Sequence, residues 1–380
     1  ITDIRTGVSE CAWARNGRAF AFTSSVYPDC PDMDCNGKKA EAAEGAVVKA
    51  RLAEELLFRH WNRWRNGMWS HLFVADADGA VLAEINRGKT DVPPIALGGD
   101  RDFDFSPDGA ELCFVMNPDS FPAASTNNDL YVVSVPGGTP RPITGANRAN
   151  DNNPRYSPDG RYIAYRAMLR PGFEADRTRL MLFDRKSGTV SNLTESFDYS
   201  IDHFSWSPDS RKLYFSVEER GRRAIGTVST KGGDAAFIIR GGYDTTLEPT
   251  ADGKYVVFAR QSATQPVELF RASTKGANVA ALTRVNADAL RDVAMNPAEE
   301  FLYDGALGAT IHGMIVKPPF FEEGKKYPLV LLIHGGPQGS FGDDFHYRWN
   351  SQMFASPGYV VAMVNPHGST GYGQAFTDEI

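Results

Sequence analysis

The chain has 380 residues, 42% of them hydrophobic, with 36 Gly, 23 Pro and a formal net charge of −7. That length suits two or three domains with a large core, and the glycine, proline and 11% aromatic content favours strands and turns. The acidic balance argues against nucleic acid as a partner, which needs a basic patch, and no apolar run is long enough for a transmembrane helix.

A repeat runs through the first 300 residues. An aromatic residue precedes Ser-Pro-Asp-Gly, and an alternating strand follows. The clear copies are Phe105–Gly109, Tyr156–Gly160 and Trp206–Ser210. Weaker ones are Trp13–Gly17 and Thr250–Gly253, and Asn296-Pro297 before Phe301 reads as a degenerate sixth. Proline presets φ in such a turn, Asp bonds nearby backbone, and Gly closes it. After each turn strand we expect a second strand (His71–Asp76, Leu130–Val135, Leu180–Asp184, Ala224–Ser229, Val267–Ala272) and a short third one near Ile143, Leu193 and Leu282. Asp108, Asp159, Asp209 and Asp252 are 43 to 51 residues apart. Several short strands at that period predict propeller blades. A β-sandwich would not repeat one turn at a fixed interval.

The first interval, from Asn16 to Asp108, is longer and holds an insertion over about residues 27–68. Its first half is turn-rich. There Cys30 and Cys35 are close enough to bridge, which would imply an oxidising compartment. Four unrelated thiols (with Cys11 and Cys113) is the other reading. No second Cys pair or nearby histidines suggest zinc. The second half, Ala43 to Trp64, has the spacing of a helix, with Leu52 and Leu56 on one side and Ala53, Leu57, Trp61 and Trp64 on another. Arg59, His60, Arg63 and Arg65 read as a solvated basic face.

From Glu300 the pattern changes. Leu307 to Val316 reads as a hairpin, and Lys317-Pro318-Pro319 leads to Tyr327. Leu329–Ile333 is apolar without alternation, as in a strand buried on both faces of a parallel sheet. It runs into His334-Gly335-Gly336-Pro337. Glycines there free backbone N–H groups to face a ligand, and HGG-type loops supply half of the oxyanion hole in α/β-hydrolases. A plain glycine turn is the alternative. Phe345 to Ala355 has helical potential, Pro357-Gly358 ends it, and Tyr359–Val364 is a second apolar run leading into Asn365-Pro366-His367-Gly368-Ser369-Thr370-Gly371-Tyr372-Gly373. Strand, glycine loop, helix, strand is a crossover unit of an α/β sheet.

HGGP followed by NPHGSTGYGQAF resembles the opening of the catalytic domain in the prolyl oligopeptidase family of serine peptidases. The nearest branches by pattern are the type V dipeptidyl peptidases and the acylaminoacyl peptidases. The resemblance implies a mainly β chain. A β-propeller over 1–298, incomplete at its N-terminus, would precede the N-terminal part of an α/β-hydrolase domain over 299–380, truncated before the nucleophile elbow. It gives Gly336 the role of oxyanion donor through its backbone N–H, with Gly335 and His334 shaping the loop. The family pattern carries Arg where this chain has His367. A substrate contact made by that Arg would pass to His367 or be lost.

The insertion segment AEELLFRHWNRWRNG is similar to one in dipeptidyl peptidases, where paired glutamates bind the substrate's free amino terminus. Glu54 and Glu55 would take that role, since two anions suit an ammonium group. Against this, Arg51, Glu55 and Arg59 stand at i, i+4 spacing and suit solvent-facing ion pairs.

No G-x-S-x-G elbow occurs, so the Ser, Asp and His of the triad are expected beyond Ile380. The chain begins at Ile1 without Met and stops inside an unfinished sheet. We therefore expect a piece of a longer protein, inactive alone. The implied activity of the whole is release of dipeptides from free N-termini of short peptides. Alternatives are an acylaminoacyl peptidase or general oligopeptidase, a carboxylesterase or lipase, and a non-catalytic propeller binding module. The expected partners are short peptides and the remaining catalytic segment, with a homodimer left open and no nucleic acid or membrane. No cofactor or metal is expected. The expected location is periplasmic or secreted, with cytoplasmic as the alternative.

Overall fold

Each Ser-Pro-Asp-Gly turn closes on its own side chains. In the computed structural model, which describes residues 4–54, 56–99 and 101–380, the Ser106 hydroxyl donates to Asp108 Oδ1 at 2.6 Å. The same oxygen accepts the Ala110 N–H at 3.0 Å, and Ser106 Oγ accepts the Glu111 N–H at 2.9 Å. The set recurs at Ser157–Asp159, at Ser207–Asp209 and, with threonine for serine, at Thr250–Asp252. The last turn residue needs a left-handed backbone, with φ of 73° at Gly109 and 71° at Gly160. Ser210 adopts 59° without being glycine.

Each turn joins two antiparallel strands, and two more strands follow. The result is five four-stranded antiparallel sets. The second comprises Phe103–Phe105, Glu111–Met116, Asp129–Ser134 and Arg141–Pro142. The fourth and fifth sets touch through one parallel bridge, Arg223 to Tyr243. The chain is mainly β, with few and short helices.

Two compact units divide it. One holds residues 1–176 and 180–192, the other 177–179 and 193–380. In the first, neighbouring sets bury their apolar faces together: Leu72 and Val74 meet Phe103 and Phe114, and Cys113 and Leu130 meet Tyr156 and Ile163. In the second, Tyr214 and Ile225 meet Leu247 and Phe258.

The insertion departs from expectation. Its helix is Met33–Gly45, not Ala43 to Trp64. Asp32 caps it by accepting the Cys35 N–H at 2.8 Å, and Cys30 is bonded to Cys35 at its start. Residues 46–54 and 56–58 are irregular, and Arg59–His60 pairs with Arg63–Trp64 as a short hairpin. The helical spacing failed because no core receives it: Val47, Val48 and Leu52 are exposed. The bend there is fixed instead by left-handed Trp61, Asn66 and Gly67.

A final sheet has the order Glu299–Asp304, Thr310–Val316, Val360–Asn365, Leu329–Leu332. The last two strands are parallel, and the other pairings are antiparallel. Three expectations are corrected here. Phe301 pairs with Gly313 in this sheet and belongs to no sixth repeat. The hairpin pairs Glu299–Asp304 with Thr310–Val316, with Leu307 in the turn at φ 58°. The helix spans only Ser351–Ala355, because the His346 ring accepts the Arg348 and Trp349 N–H groups and Asn350 then caps.

The Leu329–Leu332 strand is not buried on both faces. Val330 and Leu332 pack on Met314, Val361 and Met363, while Leu329 and Leu331 are 62% and 51% exposed. Among the described residues it is an edge strand, covered on one side.

Candidate active site

The loop His334-Gly335-Gly336-Pro337 leaves the end of the parallel strand Leu329–Leu332. Gly336 has φ 130°, and a Cβ there would lie 2.6 Å from the Gln338 nitrogen. Only glycine fits without a shift of backbone. Gly335 has open space around it. The His334 ring spans the loop, with Nδ1 3.0 Å from the Gly335 carbonyl and Nε2 3.1 Å from Ser369 Oγ. Ser369 is fully buried and donates to the Pro366 carbonyl at 2.6 Å. Its oxygen lies between His334 and Pro366, joining the HGGP loop to the NPHGSTGYG segment.

The two segments meet again twice. Thr370 N–H donates to the Gly339 carbonyl at 3.0 Å. The Asn365 side chain grips the Phe341 backbone, accepting its N–H at 2.7 Å and donating to its carbonyl at 3.1 Å. Asn365 also donates to the Tyr372 hydroxyl at 2.8 Å, which lies 2.7 Å from His312 Nδ1. Burial lowers the His312 pKa and raises that of Tyr372. The residues that hold the loop (Asn365, Ser369, Tyr372 and His312) were given no role from the sequence. The signal was an asparagine ending an apolar strand, a polar group that must find partners when buried.

The hairpin turn at Glu219–Arg222 adds a second support. Arg220 N–H donates to the Gly371 carbonyl at 3.1 Å, and Asp343 N–H to that of Gly221 at 2.8 Å. Glu218 accepts from Thr370 at 2.6 Å and from Arg223 at 3.0 Å. Arg222 pairs with Asp343 at 2.8 Å and with Glu300 at 2.9 Å. A Cβ at Gly221 would meet Met314 at 2.6 Å, so the fit is close.

His367 is engaged on both sides. Nδ1 pairs with Glu379, Nε2 lies 3.1 Å from the Ala306 carbonyl, and the ring stacks on Phe376. It braces the end of the segment.

Glu54 sits in the irregular part of the insertion and lines a cleft of about 1150 Å³ with Tyr27, Arg51, Phe58, Trp64 and Trp69. Glu55 lies outside the described residues. Arg51 bonds Asn66 at 3.0 Å and lies over Trp64, while Arg59 donates to the Trp61 carbonyl at 2.6 Å. Among the described residues no group of three or more His, Cys, Asp or Glu is placed to hold a metal ion.

Residues 345–380 match the model of the prolyl oligopeptidase family. The chain is 30% identical over 364 residues to dipeptidyl-peptidase 5 of Porphyromonas gingivalis, covering 94% of this chain and 51% of that protein. It is 32% identical over 371 residues to dipeptidyl-peptidase 5 of Trichophyton equinum, covering 89% and 50%. Its fold is similar to that of the Pyrococcus horikoshii acylaminoacyl peptidase (TM-score 0.74, 18% identity, 97% of this chain and 52% of that one). It is also similar to that of Porphyromonas gingivalis dipeptidyl peptidase 4 (TM-score 0.62, 17% identity, 96% and 50%). The chain spans about half the length of the curated relatives it matches. With relatives matched over most of this chain and the family model over its C-terminal segment, the chain belongs to the prolyl oligopeptidase family.

Proposed function

We propose that the whole protein is a serine peptidase that releases dipeptides from the free N-termini of short peptides. The observation that carries this is the HGGP loop at the end of a parallel strand, held open with Gly336 unable to accept a side chain. The dipeptidyl-peptidase 5 relatives support the same reaction class. In this reading a serine outside the chain attacks the peptide carbonyl. The oxyanion accepts the Gly336 N–H and one other donor, and water then hydrolyses the acyl-enzyme. Glu54, in its aromatic cleft, receives the substrate ammonium.

The five four-stranded sets are read as blades of a β-propeller, supported by their common turn and period. The boundary is proposed near Ala298, between the fifth set and the final sheet. That sheet is read as the start of an α/β-hydrolase domain. Its bare face at Leu329, Leu331 and Ile333 suits further chain packing there. The Cys30–Cys35 bond supports a periplasmic or secreted location.

The test is turnover of dipeptidyl amides by the full-length protein. A free amino terminus should be preferred over an acetylated one. Glu54→Gln should lower kcat/KM for the free substrate by about 10- to 100-fold, the worth of a charged hydrogen bond, and spare the acetylated one. A preference for the acetylated substrate would favour the acylaminoacyl reading. Residues 1–380 alone should turn over neither, and activity in that chain would refute the placement of the triad.

A further inference from the structure

The HGGP loop is closed at its base on a single strand. It departs at Leu332, which pairs with Met363. It returns at Phe341, which is held by Asn365. Met363 and Asn365 are two positions apart on Val360–Asn365. The direction of every amide between the two anchors, Gly336 included, depends on both.

The second anchor is a side chain whose oxygen and both amide N–H groups are engaged. Asn365 is 0% exposed. Its oxygen accepts the Phe341 N–H, one amide proton goes to the Phe341 carbonyl and the other to the Tyr372 hydroxyl. Tyr372, having accepted that proton, directs its own to His312 Nδ1. His312 then carries its ring proton on Nε2, 3.6 Å from the Glu300 carboxylate. His312 and Asn365 are cross-strand partners, so the sheet itself sets this spacing. One acceptor and two donors in that arrangement require an amide.

We propose that Asn365 is a positioning residue for the oxyanion donor, with Tyr372 and His312 acting through it. The inference rests on the reading of Gly336 given above. Asn365 touches no substrate. It fixes where the Gly336 N–H points by closing the loop at Phe341.

Asn365→Asp tests this in the full-length protein. The change keeps size and the acceptor for Phe341 N–H, but sets a carboxylate against the Phe341 carbonyl. The expected result is a fall in kcat on a dipeptidyl amide of about 100-fold, as for a displacement near 1 Å, with KM within about twofold. Backbone amides in 335–341 should exchange with solvent faster, while amides of the five four-stranded sets keep their protection. Tyr372→Phe should cost about tenfold in kcat with the same split, since it releases one donor of the clamp.

A folded Asn365→Asp variant with wild-type kcat overturns the proposal, whatever the exchange shows. An equal loss in kcat and in protection across the whole molecule also overturns it, marking a structural role only. Should that variant not fold, Tyr372→Phe decides by the same criteria. If the wild-type protein turns over no peptide substrate, the reading of Gly336 fails. Exchange in 335–341 then decides the clamp alone: acceleration supports it, and no change overturns it.

Discussion

Two kinds of glycine turn in this molecule are held in opposite ways. The Ser and Asp side chains of the Ser-Pro-Asp-Gly turns bond groups no more than five residues away, such as Ser106 with Asp108 and Glu111. Remote side chains reach the turn carbonyls, Asn16 that of Asp108 and Arg185 that of Gly160. The HGGP loop is held by residues more than twenty positions on: Asn365 on Phe341, Ser369 on His334, Thr370 on Gly339. A locally closed turn can be repeated and moved along a chain, because it carries its own instructions. A remotely held loop forms only after the sheet beneath it has formed. The first suits scaffold and the second suits a site whose geometry must wait for the complete fold.

The largest expected effect is on the remote side. Gly336→Ala forces a Cβ to within 2.6 Å of the Gln338 nitrogen at a φ that side chains rarely adopt. The loop must shift and carry its N–H with it. In the full-length protein kcat should fall by about 100-fold or more, the scale of losing one oxyanion donor. Thermal stability should change little, since the loop is exposed. A steady-state assay with a melting curve checks both. Wild-type kcat would mean that the loop does not face the reaction.

The same contrast explains what the sequence made legible. The repeated strands and turns were placed well because proline, aspartate and glycine act within the turn itself. The parallel strand pair with HGGP between was legible from apolar runs and glycines. The insertion was not: residues 43–64 have helical spacing, but a helix of that kind needs a face to bury, and sequence cannot say whether one exists. Asp32 and Cys30–Cys35 start the real helix ten residues earlier. The partners of the side chains that hold the HGGP loop were invisible for the same reason. Asn365 and Phe341 are 24 residues apart and meet only through the sheet.

Acids divide along this line too, and pH separates them. Asp151 is fully buried. One carboxylate oxygen accepts from Asn147 at 2.7 Å, and the other has no hydrogen-bond partner among the described residues. Burial raises its pKa well above the ordinary value, and the nearby Asp129 adds to the rise. The folded state therefore binds this proton more tightly than the unfolded state does. Its favourable contribution is complete below the ordinary carboxylate range and is lost as pH rises towards the folded pKa. Asp151→Asn keeps the shape without the charge. At neutral pH the variant should be more stable by about 1 to 3 kcal/mol, the scale of relieving a buried unsatisfied group, with the gain shrinking in acid. Urea midpoints across pH measure it. A destabilised variant at neutral pH would show that the carboxylate has a cation or donor partner in solution.

Asp108 should behave with the opposite sign and a smaller size. It is exposed, and its pKa is lowered, first by the Ser106 hydroxyl and then by the Ala110 N–H. Its contribution is present above the ordinary carboxylate range and disappears as pH falls through the lowered value. Asp108→Ala should cost about 1 kcal/mol at neutral pH, the net worth of the bonds it removes. In acid the difference from wild type should narrow. Asp159→Ala should cost a similar amount, because its turn has the same bonds. If the two costs differ by more than about 1 kcal/mol, partners outside the turn must contribute. The turn would then not be closed by its own residues alone, and the division between local and remote closure would fail at the place where it looks cleanest.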